Sequence, residues 1–136
     1  MAQLTEKRLP ATRTAGRFVL LVDDNADHRE LYARRLRRLG YPTRTASSGM
    51  QAIATMREAV PDVVVLDIAM PGRDGLSVLQ ELIALWPALP VIIHTAYPSY
   101  CDNFLSWAAN AYVLKSPDIG PLADALGATV GRPAVA

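Results

Sequence analysis

The chain has 136 residues, of which 51% are hydrophobic and 20% charged, with a formal net charge of +1. That is the size and composition of one globular domain with room for a sizeable core, and the near-neutral balance removes any composition-driven pull toward nucleic acid or an anionic membrane. No apolar stretch approaches the roughly 20 residues of a membrane span, and the single cysteine, Cys101, excludes an internal disulfide and fits a reducing compartment.

Residues 1–16 mix Thr, Arg, Lys and Ala with a proline and show no sustained period, which reads as a flexible N-terminal extension without the apolar core of a secretory signal; the cytoplasm is the expected location. From Arg17 the chain alternates between short apolar runs and helical periods. Phe18-Val19-Leu20-Leu21-Val22 predicts a strand over 17–23, closed by the acid pair Asp23-Asp24. A helix follows from Ala26 to Leu39, with Leu31, Tyr32, Leu36 and Leu39 on one face and Gly40 as its C-terminal cap. Thr43 to Ala46 is a weaker strand, and Ser47-Ser48-Gly49 leads from it into a helix carrying Met50, Ile53 and Ala54.

The run Val63-Val64-Val65-Leu66, bounded by Pro61 and Pro71-Gly72, predicts a buried strand over 62–67 that ends in Asp67. A helix over Gly75 to Trp86 turns Leu76, Leu79, Leu82 and Ile83 inward. Val91 to Thr95 is the fourth strand and Ala111 to Lys115 the fifth, with a short helix over Ser99–Ala109 between them and a last helix after Pro117. Residues 131–136 read as a tail or the stub of a linker. Strands alternating with helices imply right-handed crossovers and a five-stranded parallel sheet covered on both faces, a doubly wound α/β sandwich.

Carboxyl ends of parallel strands are where such sheets place ligands and chemistry. Here those ends carry Asp23-Asp24, Asp67, Thr95 and Lys115. Three carboxylates converging at one sheet edge cost free energy unless a cation or a proton is shared there. Taken singly, each residue has an ordinary reading: Asp23-Asp24 as helix caps, Thr95 as a strand residue, Lys115 as a solvated strand end. His94 reads as a structural strand residue and His28 as a surface helix position. The arginines 29, 34, 35, 37 and 38 read as a solvated face of the first helix.

Together, Val22-Asp23-Asp24, Asp67-Ile-Ala-Met-Pro-Gly-Arg-Asp-Gly75, Thr95-Ala96 and Tyr112-Val-Leu-Lys115 resemble the receiver domain of two-component response regulators, over residues 17–130. The resemblance implies a flavodoxin-like (βα)5 fold and a phosphorelay switch. Asp67 would be the phosphoacceptor, forming an acyl phosphate. Asp24 would bind Mg²⁺ directly and Asp23 through water, with Asp67 and the backbone carbonyl of Ala69 completing the protein ligands. Lys115 and the Thr95 hydroxyl would meet phosphoryl oxygens. Thr95 and Tyr112 would form the switch that remodels the surface of the fourth helix, fifth strand and fifth helix, the face for an unknown downstream partner or output domain or for a homodimer.

The phosphodonor would be a histidine kinase or a histidine phosphotransfer domain, docking on the basic first helix. Ala69 offers no side chain to organise an attacking water and Tyr97 is bulky enough to shield the phosphoryl group, so both are expected to lengthen its lifetime. A protein of this kind is a regulatory phosphoacceptor that catalyses only its own phosphorylation and slow dephosphorylation, with no direct nucleic-acid contact and no membrane insertion. Alternatives are a pseudo-receiver that binds partners without phosphate, and a haloacid-dehalogenase-type phosphohydrolase, which needs a second Asp where this chain has Ala69.

Three departures stand out, one of them Asn110-Ala111 in place of the usual Gly-Ala before the fifth strand. The family follows its lysine with a proline in a cis peptide, whereas Ser116 intervenes here before Pro117. Only 20 positions separate Thr95 from Lys115, so the fourth helix is short. That segment holds Tyr97, Tyr100, Phe104 and Trp107, a concentration expected to leave an apolar patch.

Overall fold

A computed structural model describes residues 18–68, 75–96 and 109–133. Its elements, in chain order, are β1 (Val19–Val22), α1 (Ala26–Arg38), β2 (Thr43–Ala46), α2 (Gly49–Glu58), β3 (Val63–Leu66), α3 (Gly75–Leu85), β4 (Val91–Thr95), β5 (Ala111–Leu114) and α4 (Gly120–Val130). Each expected strand is present, β2 included. The ladders of β1, β3 and β5 stop one residue short of Asp23, Asp67 and Lys115, so these side chains stand just past the strand ends. The helix expected over 99–109 lies outside the described residues apart from Ala109. The last helix of the chain is therefore α4.

The strands form one parallel sheet in the order β2-β1-β3-β4-β5. Valine and isoleucine runs such as Val63-Val64-Val65 suit the three central strands because both sheet faces are covered. Val22, Leu66 and Ile93 point to one face, where they meet Ala52, Ile53 and Met56 of α2 and Val78, Leu79 and Leu82 of α3. Leu21, Val65 and Ile92 point to the other, where Tyr32 and Leu36 of α1 and Leu122 and Leu126 of α4 cover them. Leu20, Leu66, Ile93 and Leu126 are wholly buried, each contributing about 1.5–3 kcal/mol relative to exposure.

Two helix faces depart from the sequence reading. Leu39 is exposed because α1 closes before it. The left-handed Gly40 (φ 99°) lets the Gly40 amide bond the Arg37 carbonyl and the Tyr41 amide bond the Leu36 carbonyl, so Tyr41 takes the buried position instead. In α2 the buried face is Gly49, Ala52, Ile53 and Met56, leaving Met50 and Ala54 outward. Asn25, rather than either aspartate, caps α1: its Oδ1 accepts from the His28 amide at 3.0 Å.

Gly75 opens α3 with its amide donating to the Ile68 carbonyl at 3.1 Å. A Cβ at this position would fall 2.2 Å from the Ile68 Cα and 2.3 Å from its carbonyl oxygen. Since the obstacle is backbone, Gly75→Ala must displace the segment next to Asp67. A loss of about 1–3 kcal/mol in urea unfolding is expected; an unchanged midpoint and slope would refute this packing.

Candidate functional site

The strand order reverses direction between β1 and β3, so a crevice opens at their carboxyl ends. Backbone bonds continue one step past the ladder and fix each residue there. The Asp23 amide donates to the Ala46 carbonyl at 3.0 Å, that of Asp67 to Val22 at 3.0 Å, and that of Lys115 to Thr95 at 2.8 Å. Asp23, Asp67 and Lys115 are therefore held at the ends of β1, β3 and β5, and Thr95, the last residue of β4 between β3 and β5, is fully buried.

One carboxylate oxygen from each of Asp23, Asp24 and Asp67 lies within 4.8 Å of the others. Asp23 and Asp67 are buried and Asp24 is exposed. The Lys115 ammonium sits 2.8 Å from Asp23 Oδ2 and 2.9 Å from Asp67 Oδ2, with its side chain only 7% exposed. It also lies 2.9 Å from His28 Nδ1. Asp23 Oδ1 accepts from the Asn25 amide at 2.9 Å, and the Asp23 carbonyl accepts from Arg29 Nη1 at 2.7 Å.

Burial raises the Asp23 carboxyl above its ordinary range, opposed in part by the Lys115 ammonium. Lys115 moves upward as well: burial pulls it down, but its bonds to Asp23 and Asp67 and their charges outweigh that. The ammonium is therefore the charged form and has no lone pair, so it donates and His28 Nδ1 is the accepting atom of this contact. Three carboxyl groups meet one ammonium at the crevice. Among the described residues Asp23 Oδ2 is buried with no aligned hydrogen bond, only the ion-pair contact. Clustered oxygen donors with an open lone pair fit a hard divalent cation.

His94 is 2% exposed on β4, facing α1, where the Tyr32 ring meets it edge-on at 4.6 Å. Burial, and then the charge of Lys115, lower it to about 4. Tyr112 is half-buried opposite Ile93 and packs on the same core face as Ile93. The crevice thus unites Asp23, Asp24, Asp67 and Lys115, with Thr95 at its edge. Ala69, Tyr97 and the aromatic residues 100, 104 and 107 lie outside the described residues.

Sequence reasoning placed His28 on the solvent side; it is half-buried and touches Lys115. The available signal was its position four residues after Asp24, one helical turn along the face that opens on the crevice. The arginines of α1 are also less free than a solvated face would be. Arg29 bonds the Asp23 carbonyl, Arg37 forks onto the Thr43 carbonyl at 3.1 and 2.7 Å, and Arg35 bonds the Pro117 carbonyl.

Residues 19–127 match the family described as the response regulator receiver domain. The chain belongs to that family. The receiver is 40% identical over 106 residues to the transcriptional regulatory protein ZraR of Escherichia coli K12, an alignment covering 76% of this chain and 24% of ZraR. It is likewise 40% identical over 99 residues to the probable transcriptional regulator ycf27 of Pyropia yezoensis, covering 71% of this chain and 40% of that protein. It therefore spans well under half the length of these curated relatives. Among solved structures, the response regulator TrrA of Thermotoga maritima in complex with Mg²⁺-BeF superposes with a TM-score of 0.79 at 36% identity, over 84% of this chain and 98% of TrrA. TrrA is also known in complex with the histidine kinase ThkA, and that copy superposes at 0.77. The flavodoxin-like fold of the receiver is thus shared with proteins of regulatory type. No helix among the described residues is long and apolar enough to cross a membrane.

Proposed function

We propose that this receiver takes a phosphoryl group onto Asp67 from a histidine kinase or a histidine phosphotransfer domain and works as a regulatory switch. The observation that carries this reading is the buried Lys115 ammonium, 2.9 Å from the Asp67 carboxylate at the switch point of the sheet, with Asp23 and Asp24 beside it. A carboxylate oxygen of Asp67 attacks phosphorus, the bond from phosphorus to the donor nitrogen breaks, and its electron pair returns to the donor imidazole. Lys115 turns toward a phosphoryl oxygen as charge accumulates there, and the Thr95 hydroxyl donates to another. Asp23, Asp24, Asp67 and the Ala69 carbonyl would hold Mg²⁺, which when bound supplies positive charge to the phosphoryl oxygens.

Thr95 and Tyr112 belong to adjacent strands and the same sheet face, so movement of Thr95 toward a phosphoryl group opens room into which Tyr112 turns. The changed surface of β5, α4 and the segment before β5 then selects a downstream partner or a second copy. Tyr97 and Ala69 set the phosphoryl lifetime.

The experiment is the intact mass of the protein after incubation with acetyl phosphate or phosphoramidate, with and without Mg²⁺. A gain of one phosphoryl group that needs Mg²⁺ and is lost in Asp67→Ala is expected. No gain under any condition would leave a receiver that binds partners without phosphate.

A further inference from the structure

Three side chains of α1 reach the segment that follows β5, and they share one face of the helix. His28, Tyr32 and Arg35 stand at i, i+4 and i+7. His28 Nδ1 lies 2.9 Å from the Lys115 ammonium. The Tyr32 hydroxyl donates to the Ser116 carbonyl at 3.2 Å, and Arg35 Nη1 donates to the Pro117 carbonyl. Three successive residues, 115, 116 and 117, are each held by one side chain of the same helix. The Tyr32 ring is itself fixed edge-on between two imidazoles, 6.2 Å from His28 and 4.6 Å from His94. The peptide between Lys115 and Ser116 is not cis.

We propose that His28, Tyr32 and Arg35 form a positioning clamp that sets where the Lys115 ammonium stands, so that α1 governs the phosphoryl-contacting cation. The inference rests on the phosphoacceptor reading of Asp67. The Lys115 ammonium has three close partners here: it hydrogen-bonds Asp67 Oδ2 and His28 Nδ1 and forms an ion pair with Asp23 Oδ2. The two carboxylates are the groups whose charge changes when a cation or a phosphoryl group enters the crevice. His28 comes from α1, outside the acid cluster, so it is the partner that stays constant while the others are exchanged. Tyr32 and Arg35 hold the backbone from which the lysine springs. None of the three touches the acids through its side chain among the contacts above, so the clamp acts on phosphoryl transfer only by way of Lys115.

The test uses the full chain with phosphoramidate as donor. In His28→Asn, Oδ1 is bonded to Cγ as Nδ1 is in histidine, so an acceptor remains in place; His28→Leu removes it. The uptake rate at saturating donor is expected to fall roughly tenfold in His28→Leu and to recover to within about threefold of wild type in His28→Asn, the penalty of a small misplacement. Mg²⁺ affinity, read by tryptophan fluorescence or calorimetry, should stay within about twofold of wild type in both, because the acids are untouched. The Lys115 ammonium proton signal in NMR of ¹⁵N-lysine protein should persist in His28→Asn and broaden in His28→Leu. Tyr32→Phe, which deletes only the hydroxyl, should lower the rate in the same sense. A wild-type rate and an unshifted Lys115 signal in His28→Leu would overturn the clamp, as would failure of His28→Asn to restore either. The NMR signal decides the clamp even if wild-type protein takes up no phosphoryl group, so failure of the Asp67 reading is separately visible.

Discussion

Lys115→Met is expected to slow phosphoryl uptake by about 10²–10³-fold, the usual effect of deleting one prearranged donor to a developing charge. The same substitution should lower stability when no divalent cation is present. Lys115 is the cation shared by two buried carboxylates, at 2.8 and 2.9 Å. Without it, Asp23 and Asp67 lose the ammonium they share; removing one partner of a buried pair costs about 3–5 kcal/mol. Proton uptake by Asp23, whose carboxyl burial already raises, relieves part of that. A fall in Tm of roughly 10 °C is expected in chelator, with most of it regained in millimolar Mg²⁺. Lys115→Met combined with Asp23→Asn should melt higher in chelator than Lys115→Met alone, because the repulsion between the two carboxylates is then removed. Equal melting of Lys115→Met and wild type in chelator would mean that the ion pair carries no net stabilisation.

The arrangement explains which parts of the chain could be read in advance. The strands announced themselves because a parallel sheet buried on both faces demands unbroken apolar runs, and Val63-Val64-Val65-Leu66 is such a run. Asp23, Asp67 and Lys115 were legible for a complementary reason: a charged residue directly after such a run must emerge at the sheet edge. Helix faces were less secure. Leu39 fits the apolar period of α1 yet lies beyond the turn that Gly40 closes, so the reversal hands its place to Tyr41. Met50 sits in the first turn of α2, where its neighbours Gly49 and Ala52 make the inward contacts. What linear order concealed was the convergence of α1 on residues 115–117. The separations of 84 and 82 residues between Tyr32 and Ser116 and between Arg35 and Pro117 carry no local signal, and His28 therefore looked like a surface residue.

His94 supplies the second large effect, a loss of stability on the acid side of neutrality. Its imidazole is 2% exposed, Nδ1 has no hydrogen-bond partner among the described residues, and the nearby Lys115 ammonium repels a second positive charge. The folded protein therefore holds the ring neutral down to about 4, whereas the unfolded chain protonates it near 6.5. Between those values the unfolded state binds more protons, so stability rises with pH there. The contribution is fully present above pH 6.5 and is lost as the pH falls toward 4, a change of about 3 kcal/mol at 1.36 kcal/mol per unit. Asp23 works in the opposite sense: its raised carboxyl takes up a proton in the native state first, so its part of the stability declines as pH rises through the folded value. The two are separated by comparing wild type with His94→Phe, which keeps an aromatic edge for Tyr32 and cannot titrate. Urea unfolding from pH 7.5 to 4.5 should show the variant losing less stability than wild type, with the gap opening below pH 6.5. Parallel curves would mean that the buried ring finds a partner for its proton and is not the acid-sensitive element of the fold.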